Sequence, residues 1–262
     1  MPQAGLQVRP AYSVYRLIWS GLDILFPPVC GGCGKRGYRW CPECARSLRL
    51  LSENICSTCG EPVEHARICL RCQQKNPAYS ALRSYAEFGG PLREALHHLK
   101  YKHDIGLGEA LSEMLIELYA RLAWRIDLIV PVPLSQGRLK ERGYNQAALL
   151  ARPLALAINA RYASSALART RNTPSQVGLS VEERQENVSG AFTADRKQVW
   201  ARDILLVDDT VTTGSTVNAC AEALLAAGSG KVYALSLARA VLKAKNENDR
   251  QPNRVSIGPR SV

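Results

Sequence analysis

Between Cys30 and Cys72 the sequence places eight of its nine cysteines in four CxxC pairs, and no other feature narrows the possible folds so far. One such pair suits a disulfide, a redox couple or a soft metal ion. Four at this density read as zinc held in a reducing compartment. The two halves repeat: "VCGGCGKRGYRWCPEC" and "ICSTCGEPVEHARICLRC" each run aliphatic residue, CxxCG, spacer, CxxC. A tandem duplication favours one ion per unit, each in a closed tetrahedral sulfur shell of the structural kind. That assigns Cys30, Cys33, Cys41 and Cys44 to one ion and Cys56, Cys59, Cys69 and Cys72 to the other, although an interleaved pairing has feasible loop lengths too. His65 lies between the last two pairs and could ligate, yet four sulfurs are already at hand.

The formal charge of +11 changes once zinc is counted, because eight thiolates and two dications together remove four units and leave about +7. With 262 residues, 46% of them hydrophobic, there is material for one well-filled core besides the cysteine module. No run approaches eighteen apolar residues, so no membrane span is expected. The stretch "YSVYRLIWSGLDILF" carries Arg16, Gly21 and Asp23 and lacks a cleavage site of small residues, which argues against a signal peptide. It reads as an amphipathic helix packed on the body of the protein, with membrane-surface association as the alternative. The expected compartment is cytoplasmic.

After "QQKNPAYS" strands and helices alternate. "YSALRSYAEF", "DLIVPVP", "ASSALAR", "DILLVDD" and "KVYALSLARAV" read as strands; "PLREALHHLKYK", "LGEALSEMLIELYARLAW", "YNQAALLARPLALAINA", "VEERQENV" and "STVNACAEALLAAG" read as helices. That order predicts an α/β domain, a mostly parallel sheet with helices on both faces. The expected layout is an N-terminal helix over 1–26, the cysteine module over 27–74, the α/β domain over 75–241 and a polar, disordered tail over 242–262.

A parallel sheet presents ligands at the carboxyl ends of its strands. "ILLVDDTVTTGST" puts Asp208 and Asp209 at such an end, followed by a helix that starts near Ser215. The helix amides, with the hydroxyls of Thr210, Thr212, Thr213, Ser215 and Thr216, make a seat for a phosphate dianion, and Gly214 lets the backbone close around it. Carboxylates repel phosphate but accept from a diol. Phosphate beside diol describes a ribose 5-phosphate; the plainer alternative is a strand end with two solvated acids. There is no Gly-Lys-Ser/Thr ending, so the run is not a Walker loop. A second loop, "PVPLSQGRLKERGYNQ", carries Pro133, Arg138, Lys140 and Arg142, with Gly143 for a turn and Asn145 at a helix start. Its cations suit a pyrophosphate, or a solvated surface.

The first of these runs resembles the phosphoribosyl-pyrophosphate (PRPP) motif of type I phosphoribosyltransferases. Taken with "PVPL…R…RGYNQA", "RTRNTPSQVGLSVEERQENVSGAF" and the four-pair zinc module, the chain from about Leu17 to Arg239 resembles the ComF family (ComFC, GntX-like). That resemblance implies a double zinc-ribbon followed by a type I phosphoribosyltransferase fold, PRPP bound with Mg²⁺ at Asp208 to Thr216, and a part in handling incoming single-stranded DNA during natural competence. It also implies catalytic work by Asp208, Asp209, Arg138 and Arg142 if the enzyme is active, a family role for Lys100, and a flap contributed by Arg169, Arg171, Gln176 and Arg184. Arg184 and Asn187 could equally tie the flap to the sheet, and Lys100 could be a solvated helix lysine. Partners implied are PRPP, single-stranded DNA and a helicase-like or other competence protein.

Arg36, Arg39, Arg46, Arg49, Arg67 and Arg71, with Tyr38 and Trp40 for stacking, are candidates for contact with single-stranded DNA, or ordinary surface. Cys220 reads as a packed core thiol. Two further functions stay open beside DNA handling: an active transferase of unknown acceptor, and a PRPP sensor without catalysis.

Overall fold

The computed structural model describes residues 9–51, 54–64, 67–170 and 190–241. His65, the run 171–189 with Arg171, Gln176, Arg184, Asn187 and the helix expected near 181–188, and the tail 242–262 lie outside the described residues.

Leu128-Ile129-Val130 and Ile204-Leu205-Leu206-Val207 are unbroken apolar runs, as strands covered on both faces require, and all seven residues are buried. They lie in β2 (Leu128–Pro131) and β6 (Ile204–Val211) at the middle of a five-stranded sheet. Its other strands are β1 (Ala81–Glu87), β3 (Arg161–Tyr162) and β7 (Val232–Arg239), in the order β1-β7-β6-β2-β3. Every pairing is parallel. A separate antiparallel pair joins β4 (Leu167–Arg169) to β5 (Phe192–Ala194), so "ASSALAR" forms a strand only at its end.

Successive residues of a strand face opposite sides. On one side Leu128, Val130, Ile204, Leu206, Val232 and Ala234 share a cluster with α9 (Ser215–Ala226). On the other, Ile129, Leu205, Val207, Leu235 and Leu237 pack with α4 (Gly90–Tyr101), α5 (Gly106–Ala120) and α7 (Gln146–Ile158). The mostly parallel sheet with helices on both faces is therefore as expected. α8 (Arg196–Val199) is one turn ahead of β6.

The cysteine region carries two short helices, α2 (Pro42–Arg46) and α3 (Leu70–Gln74), and it is built into the sheet rather than hung beside it. Glu87 N–H donates to the Arg49 carbonyl and Leu82 N–H to that of Thr58, which pairs the outer edge of β1 and removes an open strand edge. Gly60 sits so close that an added Cβ would stand 2.6 Å from the Leu82 carbonyl oxygen, and its φ of +70° favours glycine as well. Cys56, Cys59 and Cys72 belong to the same buried cluster as Leu82 and Ile204. The first unit leans elsewhere: Trp40 and Leu48 pack against the cluster under α4 and α5.

The N-terminal helix forms as expected, as α1 (Pro10–Leu25). Tyr12 is buried, Arg16 pairs with Glu113 at 3.2 Å, and Leu17, Ile18 and Leu25 stay exposed. No helix among the described residues is long and apolar enough to cross a membrane.

Candidate functional site

Two four-cysteine clusters stand in the tandem pairing, Cys30, Cys33, Cys41, Cys44 and Cys56, Cys59, Cys69, Cys72, with the sulfurs of each within 4.8 Å of one another. The interleaved arrangement is ruled out by that grouping. A tetrahedron with Zn–S bonds near 2.3 Å has sulfur edges of roughly 3.8 Å. The Cys30–Cys44, Cys33–Cys41 and Cys59–Cys69 separations are 3.7, 3.6 and 3.6 Å. In each unit the first trailing cysteine also donates its backbone N–H to the first leading sulfur, Cys41 to Cys30 and Cys69 to Cys56, both at 3.4 Å. Such donors suit thiolate ligands, and the clusters fit two structural zinc ions.

The phosphate-seat candidate forms one concave pocket lined by Asp208 and the residues from Thr210 to Val217. Gly214, at φ +84°, caps α9 and turns the chain so that Ser215 N–H meets the Thr213 hydroxyl at 3.3 Å. The Thr213 and Ser215 hydroxyls are 2.7 Å apart. A side chain on Gly214 would also crowd the Tyr79 hydroxyl, 3.1 Å from the added Cβ. The donors here are oxygens with Asp208 as the carboxylate, a set that suits a hard cation carried in on its own ligand.

The adjacent acids do not act alike. β6 continues to Val211, so both sit within the strand and face opposite sides, Asp208 toward α9 and Asp209 toward α4 and α7. Asp209 is 2% exposed. Its carboxylate accepts from Lys100 Nζ at 2.5 Å, Gln146 Nε2 at 2.9 Å and the Thr210 hydroxyl at 2.7 Å. Burial opposes its ionisation, but Lys100, Thr210 and Gln146 outweigh that and hold the carboxyl below the usual aspartate range. Asp208, half-buried and beside a charged neighbour, moves the other way: burial first and the Asp209 charge second push it up to about 8, against the pull of Lys100.

β2 and β6 are neighbours, so the basic segment after β2 opens beside Asp208, with Val132 N–H on the Val207 carbonyl at 2.9 Å. Read as a loop from sequence, it is mostly helical: α6 (Gln136–Arg142) starts at Ser135, whose hydroxyl accepts from Arg138 N–H, and ends at Gly143 with φ +76°. The chain then turns into α7, capped by the Asn145 side chain on Ala147 N–H. Pro133 is half-buried and Arg138 and Lys140 are exposed. Arg142, 6% exposed, points inward, with its guanidinium on Gln146 Oε1 at 2.9 Å and over the Tyr101 ring at 5.0 Å. Arg142, Gln146, Asp209 and half-buried Lys100 thus form a continuous polar chain on the face of β6 opposite Asp208. Arg169, at the end of β4, lies over Phe192 at 5.5 Å. Burial first, and the charge of Arg138 second, lower its pKa.

Gln146 was not singled out from sequence. Lys100 had a signal: it falls four residues after buried Leu96 and eight after buried Leu92, on the inward stripe of α4. Cys220 is buried under Asp208 as a core thiol. Of the candidate nucleic-acid contacts, Trp40 is turned into the core and Arg39 is held by Asp23 and the Trp19 ring. Arg71 pairs with Glu61, while Arg36, Arg46, Arg49, Arg67 and Tyr38 are exposed.

Residues 21–73 match the family model described as "Double zinc ribbon domain". The chain is 38% identical over 205 residues to DNA utilization protein YhgH of Escherichia coli, covering 76% of this chain and 89% of the relative. It is 29% identical over 230 residues to Competence protein F of Haemophilus influenzae, covering 84% and 94%. Competence protein ComFC of Bacillus subtilis is 27% identical over 197 residues, covering 72% and 78%. Among solved structures, 51% of this chain aligns with 26% of the glutamine PRPP amidotransferase chain from B. subtilis, about a quarter of its length, at 20% identity and a TM-score of 0.35. Adenine phosphoribosyltransferase from Thermoanaerobacter pseudethanolicus aligns over 52% and 82% at 16% identity and a TM-score of 0.34.

Proposed function

The chain belongs to the family of DNA utilization protein YhgH and competence protein F, and from that premise we propose that it binds PRPP with Mg²⁺ in the Asp208–Thr216 pocket and serves the use of incoming single-stranded DNA. The observation that carries this reading is the pocket itself, where hydroxyls and the α9 amides surround a left-handed Gly214 next to a carboxylate. The 5-phosphate takes the hydroxyl and amide groups of Thr212 to Thr216. Asp208 accepts from the ribose diol, and Mg²⁺ is held by ligand and water oxygens beside it. Asp209 keeps the site in shape through Lys100 and Gln146 rather than reaching the ribose. Arg138 and Lys140, exposed beside the pocket, face the pyrophosphate, and Arg142 supports them from within. Of the residues assigned to a flap over the ligand, Arg169 is the one among the described residues, at the end of β4.

The proton on Asp208 makes the reading testable. An unfolded aspartate ionises near ~3.9, whereas Asp208 holds its proton up to about 8. Across that window the folded chain binds more protons, so this group's contribution to stability falls as pH rises from about 4 to about 8. A diol donor and a nearby cation both favour the carboxylate. Binding of Mg²⁺-PRPP at pH 7 is therefore expected to release close to ~1 proton, with less released above pH 8. Calorimetry in buffers of different ionisation enthalpy measures it; binding with no proton release would mean that Asp208 is already ionised in the free protein or does not meet the ligand.

The exposed Arg36, Arg46, Arg49 and Arg67, with Tyr38, support contact between the zinc ribbons and a DNA backbone. If all four neutralise phosphates, the affinity for an oligothymidylate falls with salt at a log–log slope of roughly −3. A slope near zero counts against this surface.

A further inference from the structure

The two cysteine units repeat in sequence, but they are placed against different parts of the domain. Gly31 and Gly32 of the first press on Leu107 of α5 and Pro91 of α4. The second unit touches the phosphate-seat loop through a buried cation. Arg239, at the end of β7, is fully buried. Its Nη1 donates to the Glu61 carboxylate at 2.9 Å and to the Thr212 carbonyl at 3.3 Å, and its Nη2 donates to the Cys59 carbonyl. One guanidinium therefore spans a cysteine of the second set, the acid two residues beyond it and the backbone of the anion loop. Arg71 closes the group, with Nη2 3.2 Å from Glu61 and 3.9 Å from the Cys59 sulfur. A second, independent tie leaves the same unit at its C-terminal side: Ala78 N–H donates to the Asn218 side chain in the first turn of α9, at 2.8 Å.

We infer that Arg239 is a positioning residue that couples the second zinc site to the anion loop, so that zinc at Cys56, Cys59, Cys69 and Cys72 and a ligand in the loop each strengthen the other. The physical basis is the cost of leaving any member of this group unpaired. A buried guanidinium holds its acceptors at fixed places because each is needed to compensate the charge. If the zinc knuckle loosens, the Cys59 carbonyl and Glu61 move, Arg239 re-aims, and the Thr212 carbonyl loses its anchor. The loop then samples conformations that do not present its amides to a phosphate. Linkage requires the reverse effect to be equal in size. The first unit has no such bridge to the loop among the described residues. The duplication has thus yielded one site that shares its fate with the ligand pocket and one that does not. The ligand half of this statement rests on the PRPP reading; the loop half does not.

The test uses the full zinc-loaded chain and has two arms. In the first, without ligand, amide hydrogen exchange is followed across residues 208–216 in the native protein, in Arg239→Lys and in Glu61→Gln. Lysine keeps the charge but cannot span the acceptors, and Glu61→Gln serves should Arg239→Lys fail to fold. Exchange in that segment is expected to rise by about 5-fold or more in the variant, with no change in the first cysteine unit. Unchanged exchange in the loop overturns the coupling. In the second arm, zinc is drawn off by a chelator while alkylation of each cysteine is mapped by mass spectrometry, with and without Mg²⁺-PRPP. Protection of the second set by about 5-fold or more over the first, abolished in the variant, is the expected result. Equal protection of both sets, or of neither while PRPP binds, overturns the inference. Absence of PRPP binding would sink the ligand assignment instead, and the exchange arm would still decide the coupling.

Discussion

Replacing Lys100 by methionine is expected to destabilise the protein by about 3 kcal/mol or more, an effect far larger than loss of a surface lysine. The ammonium lies 2.5 Å from Asp209, with side-chain exposures of 21% and 3%. Removing one partner of a buried pair strands the other, and such losses run to about 3–5 kcal/mol. Asp209 can limit the damage by taking up a proton, which puts the outcome toward the lower end. The double variant Lys100→Met, Asp209→Asn is expected to recover more than half of the loss, because the stranded charge is gone and an amide can still bond Gln146 and Thr210. Urea denaturation of the native protein, Lys100→Met, Asp209→Asn and the double variant measures the coupling directly. A single-variant loss below about 1 kcal/mol would mean the pair is open in solution and contributes no more than an exposed ion pair.

Chelation of zinc is expected to act far beyond the cysteine module. Structural zinc in small cysteine-rich units supplies about 10–16 kcal/mol of apparent binding energy near neutral pH, comparable with the whole stability of a domain. Because Cys56, Cys59 and Cys72 share a buried cluster with Leu82, Ile204 and Val217, their release opens the side of the sheet that carries α9. The melting transition of the α/β domain should drop by roughly 10 °C, corresponding to about 3 kcal/mol for a chain of this size. An independent module would instead melt alone and leave the main transition where it was. Edge pairing by Arg49 and Thr58 on β1 adds to the expected loss, since chelation also uncovers a strand edge.

The features visible in the sequence are those with strong local chemistry. CxxC spacing and duplication named both cysteine sets, because a tetrahedral sulfur shell needs two close pairs and a short spacer supplies them. The continuous apolar runs of β2 and β6 named the central strands, because only a strand covered on both sides tolerates them. The "TVTTGST" run named its loop, since only glycine takes the left-handed turn at Gly214 easily. What the sequence obscured depends on packing across the chain. "DD" looked like a matched pair, but strand alternation sends Asp208 and Asp209 to opposite faces, and that follows only once β6 is known to run on to Val211. The segment around Arg138 looked like a loop because its seven helical residues are too few for a periodic apolar pattern, and only Ser135 and Gly143 mark its ends. Gln146 and Arg239 are polar residues whose partners, Asp209 and Glu61, lie far away in the sequence. No local pattern announces them.

PRPP binding in the pocket from Asp208 to Thr216 is decided by calorimetric titration of the zinc-loaded protein with PRPP and Mg²⁺, beside the Asp208→Asn variant. A hydrogen bond to a charged group contributes about 1.5–3 kcal/mol, so the variant should bind roughly 10- to 100-fold more weakly than a native protein that takes up one equivalent. An intact protein that gives no binding, or a variant that binds as tightly as the native chain, would contradict it.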